Sequence, residues 1–217
     1  MEKLFDGVFR IERRICTRNL IRGNKVYGER TVEESGEQYR VWDLYRSKLA
    51  GAINKGLKEM PIKDGGKILY LGAATGTTAS HISDIVGKGG VVFCVEFAQR
   101  SMRDLIGVCE KRENMMPILA DANKPSEYAE IGKVDVVYQD VAQPNQDEIL
   151  IKNGIEFLQK GGYAMVAIKS QSIDVTAKPK DTYDRFKGAL GKEFEILQEI
   201  ELFPYDKDHL FLLLRKK

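Results

Sequence analysis

Histidine and cysteine are scarce in this chain of 217 residues, which has two histidines and three cysteines. Cys16, Cys94 and Cys109 lie far apart and include no C-x-x-C pair, which excludes a disulfide framework or zinc site of the usual spacing. Cys94 lies inside an apolar segment, where a thiol usually serves as a small core residue. We therefore expect no metal centre.

Long apolar runs are also missing. No segment approaches the roughly 20 apolar residues that a membrane-spanning helix needs. The first residues, MEKLFDGVFRIERR, lack the apolar core of a signal peptide. With 43% hydrophobic and 30% charged residues, the composition is that of a globular protein with one full core and a small appendage. We expect a cytoplasmic protein that does not contact a membrane.

The chain has no strong excess of one sign of charge, because its formal net charge is only +2. The charge is uneven, however: residues 10–30 contain seven basic and two acidic side chains. Such a patch attracts polyphosphate, but it is equally typical of a solvated strand face, and both interpretations stay open.

The segment from residue 67 to residue 97 is the most informative. An apolar run at residues 68–71 is followed by the small-residue turn GAATG (72–76), a helical stretch and a second apolar run that ends at Glu96. Strand, tight turn, helix, strand and carboxylate form a unit that binds a nucleoside. The turn lets the backbone approach the ligand, and the carboxylate accepts hydrogen bonds from ribose hydroxyls.

The same alternation continues to the C-terminus. Apolar runs predict strands at 68–71, 90–97, 115–121, 134–140 and 163–169, and other stretches predict helices at 77–86, 99–112, 147–159 and 180–190. Two final strands, 194–202 and 209–215, have a connection too short for a parallel crossover and therefore form an antiparallel hairpin. The pattern predicts an α/β, doubly wound sheet of seven strands, mostly parallel and closed by that hairpin.

The first 60 residues differ from this pattern. Residues 1–35 predict short strands joined by turns, because residues 7–13 alternate apolar and polar side chains. Apolar side chains then recur every four residues and predict an amphipathic helix over residues 36–60. They are Val41, Tyr45, Leu49, Ile53 and Leu57. We divide the chain into a small β appendage with the start of a linking helix, residues 1–50, and a larger domain, residues 51–217.

In a doubly wound sheet, ligands bind beyond the carboxyl ends of the parallel strands. Four successive strands are predicted to end at Glu96, Asp121, Asp140 and Lys169. A single strand-end acid often only caps a helix or closes a turn. Three acids and a lysine around one crevice would be costly to desolvate without a ligand or mutual pairing, which indicates a binding site.

The glycine turn discriminates between cofactors. A dinucleotide site has the pattern G-x-G-x-x-G, with glycine where pyrophosphate contacts the backbone. Here Gly72 and Gly76 are separated by three residues, Ala74 lies between them, and Thr77 stands where the last glycine would be. S-adenosylmethionine has no phosphate and fits this turn better, and nearby acids suit its sulfonium and amino groups.

The strand ends then supply a predicted cofactor site. Glu96 would bind the ribose hydroxyls, Phe97 would pack on adenine, and Asp121 would accept a hydrogen bond from the adenine amino group. The full predicted set is Gly72, Ala73, Gly76, Thr77, Thr78, Glu96, Phe97, Asp121, Ala122, Asp140, Val141, Ala142 and Gln143. An NAD-dependent oxidoreductase also uses an acid such as Glu96, but the glycine spacing and the terminal hairpin disfavour it.

Several longer stretches resemble the fibrillarin-like RNA 2′-O-methyltransferases in their short archaeal form. They are VWDLYRSKLA (41–50), LYLGAATGTTASHISDIVG (69–87), VVFCVEFAQRS (91–101), YQDVAQPNQ (138–146), AIKSQSID (167–174) and DKDHLFLLL (206–214). The resemblance spans nearly the whole chain. It implies a class I, Rossmann-like methyltransferase fold for residues 51–217 behind a small N-terminal β domain, with S-adenosylmethionine as cofactor.

The resemblance also implies an activity and partners. The acceptor would be a ribose 2′-hydroxyl of ribosomal or transfer RNA, chosen by a box C/D guide RNA in a particle with a Nop-family scaffold and a kink-turn-binding protein. Lys48, Asp140, Lys169 and His209 would form the polar tetrad of ribose methyltransferases. Lys169 would deprotonate or stabilise the 2′-oxygen, Lys48 would assist as a second cation, and Asp140 would orient the lysine.

Two further interpretations stay open. The chain could be a non-catalytic subunit of a ribonucleoprotein that uses a nucleoside-binding fold for docking, and labelled methyl transfer to guided RNA would separate the two. A small-molecule methyltransferase is the other, although the sequence supplies no segment that would form the enclosing lid such enzymes commonly need.

Overall fold

A computed structural model describes all residues, 1–217. The N-terminal region forms five short strands: β1 (Glu2–Phe5), β2 (Val8–Ile11), β3 (Arg14–Arg18), β4 (Thr31–Glu34) and β5 (Glu37–Val41). They pair antiparallel in the order β1-β2-β3-β5-β4. The predicted small β domain is therefore confirmed, and it extends past the predicted end at residue 35 to Val41.

The helix predicted over residues 36–60 is wrong for most of that range. The observed helix, α1, covers only Lys48–Asn54. The earlier part of the apolar pattern belongs to β5, whose backbone pairs with β3 and β4, and Tyr45 is 71% exposed instead of buried. Ser47 caps the first turn of α1, and Gly56 follows its end with a φ of +97°. Before residue 42, the pairing of β5 with its neighbours therefore determines a strand, although the spacing of the apolar residues favours a helix.

The remaining chain alternates strands and helices. The strands are β6 (Lys67–Leu71), β7 (Val91–Glu96), β8 (Met115–Leu119), β9 (Val134–Gln139), β10 (Leu158–Lys169), β11 (Phe194–Glu201) and β12 (His209–Lys216). The helices are α2 (Thr77–Val86), α3 (Gln99–Cys109), a 3-10 helix (Pro125–Ile131), α4 (Gln146–Phe157), α5 (Ser170–Ile173) and α6 (Pro179–Leu190). The 3-10 helix and α5 were not predicted. None of the helices combines the length and the apolar content required to cross a membrane.

The seven C-terminal strands form one sheet in the order β11-β12-β10-β9-β6-β7-β8. Strands β6 to β10 are parallel, and only β12 runs antiparallel to both of its neighbours. The predicted doubly wound sheet with a terminal antiparallel hairpin is confirmed. Because the chain leaves the β8 edge and returns to pair β9 with β6, the carboxyl ends of β6 and β9 flank the topological switch point.

The sheet is buried on both faces because successive strand residues point to opposite layers. In β6, Ile68 and Tyr70 belong to a core cluster that also contains residues of α1, α2 and α3. Leu69 and Leu71 belong to a second cluster with residues of α4 and α6. Near-continuous apolar strands covered by helices on both faces are typical of parallel sheets.

Buried ion pairs join the N-terminal sheet to α2. Arg40 of β5 lies 2.9 Å from one carboxylate oxygen of Asp84 and also pairs with Glu29, while Arg112 lies 2.7 Å from the other oxygen of Asp84. These four side chains, the arginine cluster, are at most 1% exposed. These contacts connect the two predicted parts of the chain, residues 1–50 and 51–217, and the boundary between the two parts stays a prediction.

His81 of α2 extends this contact with the N-terminal sheet. Its ring stacks on Trp42 with 4.7 Å between ring centres, and its two nitrogens contact the hydroxyls of Thr17 and Tyr27. Burial, followed by the charges of Arg40 and Arg112, holds the pKa of His81 well below its ordinary value of 6.5. His81 therefore has a structural role, and it is neutral at physiological pH.

Candidate active site

The carboxyl ends of the parallel strands surround a cleft of about 290 Å³. Residues from five successive strand ends line it, because these ends meet at one edge of the sheet. They are Gly72 and Ala74 after β6, Val95, Glu96 and Phe97 at β7, Ala120 and Ala122 after β8, Asp140, Val141, Ala142 and Gln143 after β9, and Lys169 at β10. This is the edge at which the sequence predicts a cofactor.

The turn after β6 presents backbone to the cleft. Gly72 has a φ of +79°, and a Cβ there would lie 3.0 Å from the carbonyl oxygen of Asp140. A side chain would strain the turn and push β6 away from β9. Ala74 also has a positive φ, +48°, which a non-glycine residue keeps only where its surroundings hold it. Glu96 Oε2 stabilises this conformation by accepting a hydrogen bond of 2.9 Å from the Ala74 N–H.

Glu96 uses both carboxylate oxygens on the backbone. Besides the bond from Ala74, its Oε1 accepts a hydrogen bond of 2.8 Å from the N–H of Ala98, the residue before α3. The side chain therefore closes the turn and fixes the backbone of the residue before α3. Each carboxylate oxygen has a second lone pair, so Glu96 can accept ribose hydroxyls in addition.

The other walls of the cleft suit a purine. Small apolar side chains, among them Ala120 and Val141, line it, and the ring of Phe97 is 65% exposed at its edge. An exposed aromatic ring offers a stacking surface to a nucleobase. The amide oxygen of Gln143 is buried without a hydrogen-bond partner, and a donor on a ligand would satisfy it.

Two lysines and an aspartate meet beside this cleft. Asp140 Oδ1 lies 2.8 Å from Lys169 Nζ and 3.2 Å from Lys48 Nζ. Lys169 Nζ also donates a hydrogen bond of 2.8 Å to the main-chain carbonyl of Asp140. Since an ammonium has three donors and the Asp140 carbonyl uses only one of them, Lys169 keeps donors for a ligand oxygen.

Lys48 reaches this site because of where α1 begins. Ser47, the cap of α1, accepts a hydrogen bond of 2.9 Å from the hydroxyl of Thr78 in the first turn of α2. The two helix N-termini are therefore tied together. The first residue of α1, Lys48, is held beside the carboxyl end of β9.

A second carboxylate extends this group of charges. Asp206, between β11 and β12, has Oδ2 3.6 Å from Lys48 Nζ and Oδ1 2.9 Å from His209 Nδ1. Burial raises the pKa of Asp206, but the hydrogen bond from His209 and the charges of His209 and Lys48 outweigh it, so that the pKa lies below the ordinary 3.8. We call the sequence of contacts from His209 through Asp206, Lys48 and Asp140 to Lys169 the ion-pair network.

The structure brings together all four residues predicted to be catalytic, since Lys48, Asp140, Lys169 and His209 all belong to the ion-pair network. Most of the predicted cofactor residues line the cleft. They are Gly72, Glu96, Phe97, Ala122, Asp140, Val141, Ala142 and Gln143. Their contacts with a cofactor stay predictions.

Five predicted cofactor residues lie outside the cleft lining. Ala73 is buried behind the turn, Gly76 precedes α2, Thr77 is the first residue of α2, and the Thr78 hydroxyl is bonded to Ser47. Asp121 Oδ1 accepts hydrogen bonds from the backbone N–H and side-chain amide of Asn123, at 2.9 and 3.1 Å. This carboxylate closes a local turn, so a bond to adenine would have to use its remaining acceptor capacity.

Sequence reasoning missed two side chains of the site. Gln146, the first residue of α4, is fully buried, and its Oε1 accepts a hydrogen bond of 3.2 Å from the backbone N–H of Lys169. Nothing in its sequence context indicates this role. Asp206 precedes His209 by three residues in the short connection to β12, and this spacing could have identified Asp206 from the sequence.

Comparisons with known proteins agree with this geometry. The fibrillarin family matches residues 1–217. The fibrillarin-like rRNA/tRNA 2′-O-methyltransferase of Methanocaldococcus jannaschii is 50% identical over 220 aligned residues, which cover 98% of this chain and 95% of that protein.

Two solved structures are similar over nearly the whole chain. Aeropyrum pernix fibrillarin, in complex with natively bound S-adenosyl-L-methionine, is 48% identical with a TM-score of 0.88, and the match covers 95% of this chain and 92% of that one. The fibrillarin of a fibrillarin/Nop5p complex is 37% identical with a TM-score of 0.88, and the match covers 98% of both chains. Family match, sequence identity and fold together show that this chain belongs to the fibrillarin family.

Proposed function

We propose that this chain transfers a methyl group from S-adenosylmethionine to ribose 2′-hydroxyls of ribosomal and transfer RNA. The observation that carries the proposal is the ion-pair network, which places Lys169 at the border of a nucleoside-sized cleft. The relatives support it: the M. jannaschii protein is an rRNA/tRNA 2′-O-methyltransferase by name, and A. pernix fibrillarin was crystallised with S-adenosyl-L-methionine.

The residues of the cleft fit S-adenosylmethionine. We expect Glu96 to accept hydrogen bonds from the ribose hydroxyls and Phe97 to stack on adenine. The unpartnered amide oxygen of Gln143 could accept a hydrogen bond from a ligand amine. Gly72 lets the backbone approach the ligand closely. When bound, this cofactor supplies a methyl group that is electrophilic because it is attached to a positively charged sulfur.

The ion-pair network would orient and activate the ribose 2′-hydroxyl that accepts the methyl group. A ribose hydroxyl is a poor nucleophile, so its oxygen needs help as it attacks the methyl carbon and its proton passes to water. A free donor of Lys169 Nζ can hydrogen-bond the 2′-oxygen and stabilise the negative charge that develops there. Asp140 fixes the direction of the Lys169 and Lys48 ammonium groups, and Lys48 adds a second positive charge nearby.

We also propose that the chain acts in a box C/D particle with a guide RNA, a Nop-family scaffold and a kink-turn-binding protein. The structure of a fibrillarin bound to Nop5p supports the scaffold. The net charge of only +2 gives this chain a weak overall attraction for RNA. We therefore expect the guide RNA and the partner proteins to hold the target.

A pair of lysine variants on one strand tests the proposal. Lys169→Ala removes the ammonium at the carboxyl end of β10, and the control Lys160→Ala removes an exposed lysine near the other end. We expect Lys169→Ala to bind S-adenosylmethionine like the wild type in calorimetry. Labelled methyl transfer in the reconstituted particle should fall by about 100-fold or more. The control should resemble the wild type in both measurements.

Either of two outcomes would contradict the proposal. Unchanged transfer by Lys169→Ala would remove Lys169 from the mechanism. A wild-type particle that binds the cofactor and pairs with its target but transfers no methyl group would favour a non-catalytic subunit.

A further inference from the structure

The carboxylate of Asp206 bridges two members of the ion-pair network. Its Oδ1 lies 2.9 Å from His209 Nδ1, and its Oδ2 lies 3.6 Å from Lys48 Nζ. The backbone around it is held, because the N–H groups of Tyr205 and Asp206 both donate to the carbonyl of Leu202. The side chain is 33% exposed, so its charge is partly shielded from water and partly open to the site.

These contacts define the protonation of the His209 ring. Nδ1 lies 2.9 Å from the Asp206 carboxylate and 2.7 Å from the main-chain carbonyl of Lys207. Both partners can only accept, because Asp206 is ionised and a carbonyl has no hydrogen to donate. Nδ1 must therefore carry a hydrogen, and a neutral ring then has its lone pair on Nε2.

The ring is a neighbour of Lys169. His209 and Lys169 are direct partners in the antiparallel pairing of β10 with β12. Directly opposite residues of an antiparallel pair project to the same face of the sheet with their Cβ atoms about 5 Å apart. The acceptor nitrogen Nε2, which Asp206 and the Lys207 carbonyl together leave free, therefore belongs to the ring next to the ammonium that we place at the 2′-oxygen.

We propose that Asp206 is a positioning residue for methyl transfer, which holds His209 with Nδ1 protonated and Nε2 free and holds Lys48 against Asp140. The inference rests on the proposed function, because positioning has meaning only if the network acts on a ribose hydroxyl. It assigns Asp206 a role in addition to the four residues that the family resemblance implies.

The first test compares Asp206→Asn with Asp208→Asn. Both remove one negative charge from the same connection, and asparagine tolerates the φ of +57° at position 208. In the reconstituted particle at saturating cofactor and RNA, we expect Asp206→Asn to lower kcat by about tenfold or more. Its Kd for S-adenosylmethionine should not change, and Asp208→Asn should resemble the wild type. Equal kcat values for the two variants would overturn the inference, whereas an inactive wild-type particle would count against the proposed function instead.

The second test observes the ring directly and needs no variant. The chain has only two histidines, so long-range ¹H–¹⁵N spectra separate the ring signals of His209 from those of His81. With the His209 ring neutral, we expect its Nδ1-protonated tautomer. The Nε2-protonated tautomer would overturn the inference.

A double variant tests whether Asp206 acts through His209. If it does, the rate loss of the Asp206→Asn, His209→Ala variant is clearly smaller than the product of the two single losses. A loss equal to that product would show that Asp206 acts independently of the ring.

Discussion

Single residues of the cleft have structural roles and, in the proposed function, also bind the cofactor. Glu96 accepts hydrogen bonds from the N–H groups of Ala74 in the turn and of Ala98 before α3, yet keeps lone pairs for a ligand. Gly72 allows β6 and β9 to end in contact and also exposes backbone to the cleft. At this scale, we expect the stability of the strand ends and the affinity for the cofactor to depend on the same atoms.

Gly72→Ala should reduce both properties. The left-handed backbone costs an alanine about 1–2 kcal/mol, and the new Cβ meets the Asp140 carbonyl at 3.0 Å. We expect a lower urea midpoint and at least a tenfold weaker Kd for S-adenosylmethionine in calorimetry.

Gly107→Ala is the matched control for that substitution. Gly107 is an exposed residue of α3 with nothing within 4 Å of an added Cβ, so alanine there should stabilise the helix by up to about 1 kcal/mol. Cofactor affinity should not change in the control. Wild-type affinity in Gly72→Ala would show that the turn does not approach the ligand.

A local pattern in the sequence predicts which strand-end residues meet at the cleft. Glu96, Asp140 and Lys169 each follow an apolar strand, and the topology of a parallel sheet then brings them to one edge. Gln146 carries no such mark, and Asp206 is marked only by its spacing from His209, because their other partners, Lys169 and Lys48, lie far away along the chain. Only the packing of α1 and α4 onto the sheet creates those contacts.

At the scale of elements, the βαβ units are the most predictable part. Helix α2 begins and ends where the sequence predicts, because the turn 72–76 and Gly87 limit it on both sides. The helix predicted over residues 36–60 fails, because β5 finds partners in β3 and β4 that a periodicity argument does not include. The contact between the N-terminal sheet and α2, through the arginine cluster and His81, was also not predictable from local patterns.

This contact should make the stability of the protein depend on pH. The pKa of His81 is lower in the folded state than in the unfolded state, where it has its ordinary value of 6.5. Below pH 6.5 the unfolded state therefore binds a proton that the folded state does not bind, and this favours unfolding. The neutral, buried His81 ring makes its full contribution to stability above pH 6.5, and this contribution is lost as the pH falls. We expect the free energy of unfolding to decrease by up to about 1.4 kcal/mol per pH unit between pH 6.5 and 5.5, measured by urea titration.

Two histidine variants identify the group that causes this pH dependence of the unfolding free energy. His81→Gln should be less stable at neutral pH but should lose the pH dependence, since no buried imidazole is left to protonate. His209→Gln leaves the buried ring in place and should keep it. A slope that persists in His81→Gln would assign the effect to another group.

At the scale of the whole molecule, the site combines parts from both ends of the chain. Lys48 comes from α1 directly after the N-terminal sheet, Asp140 and Lys169 come from the centre of the large sheet, and Asp206 and His209 come from the terminal hairpin. The cleft lies at the switch point, and the ion-pair network lies beside it. We propose that this arrangement transfers a methyl group to a ribose oxygen.

The most direct test is to map the transferred methyl group in the reconstituted particle. A guide RNA is paired with a target in the presence of methyl-labelled S-adenosylmethionine, and the labelled nucleotide is identified by mass spectrometry. We predict one label, on the ribose 2′-oxygen of one guide-paired nucleotide, which moves by one position when the guide register is shifted by one. A label on a base, or no label although the cofactor is bound and the target is paired, would contradict the account.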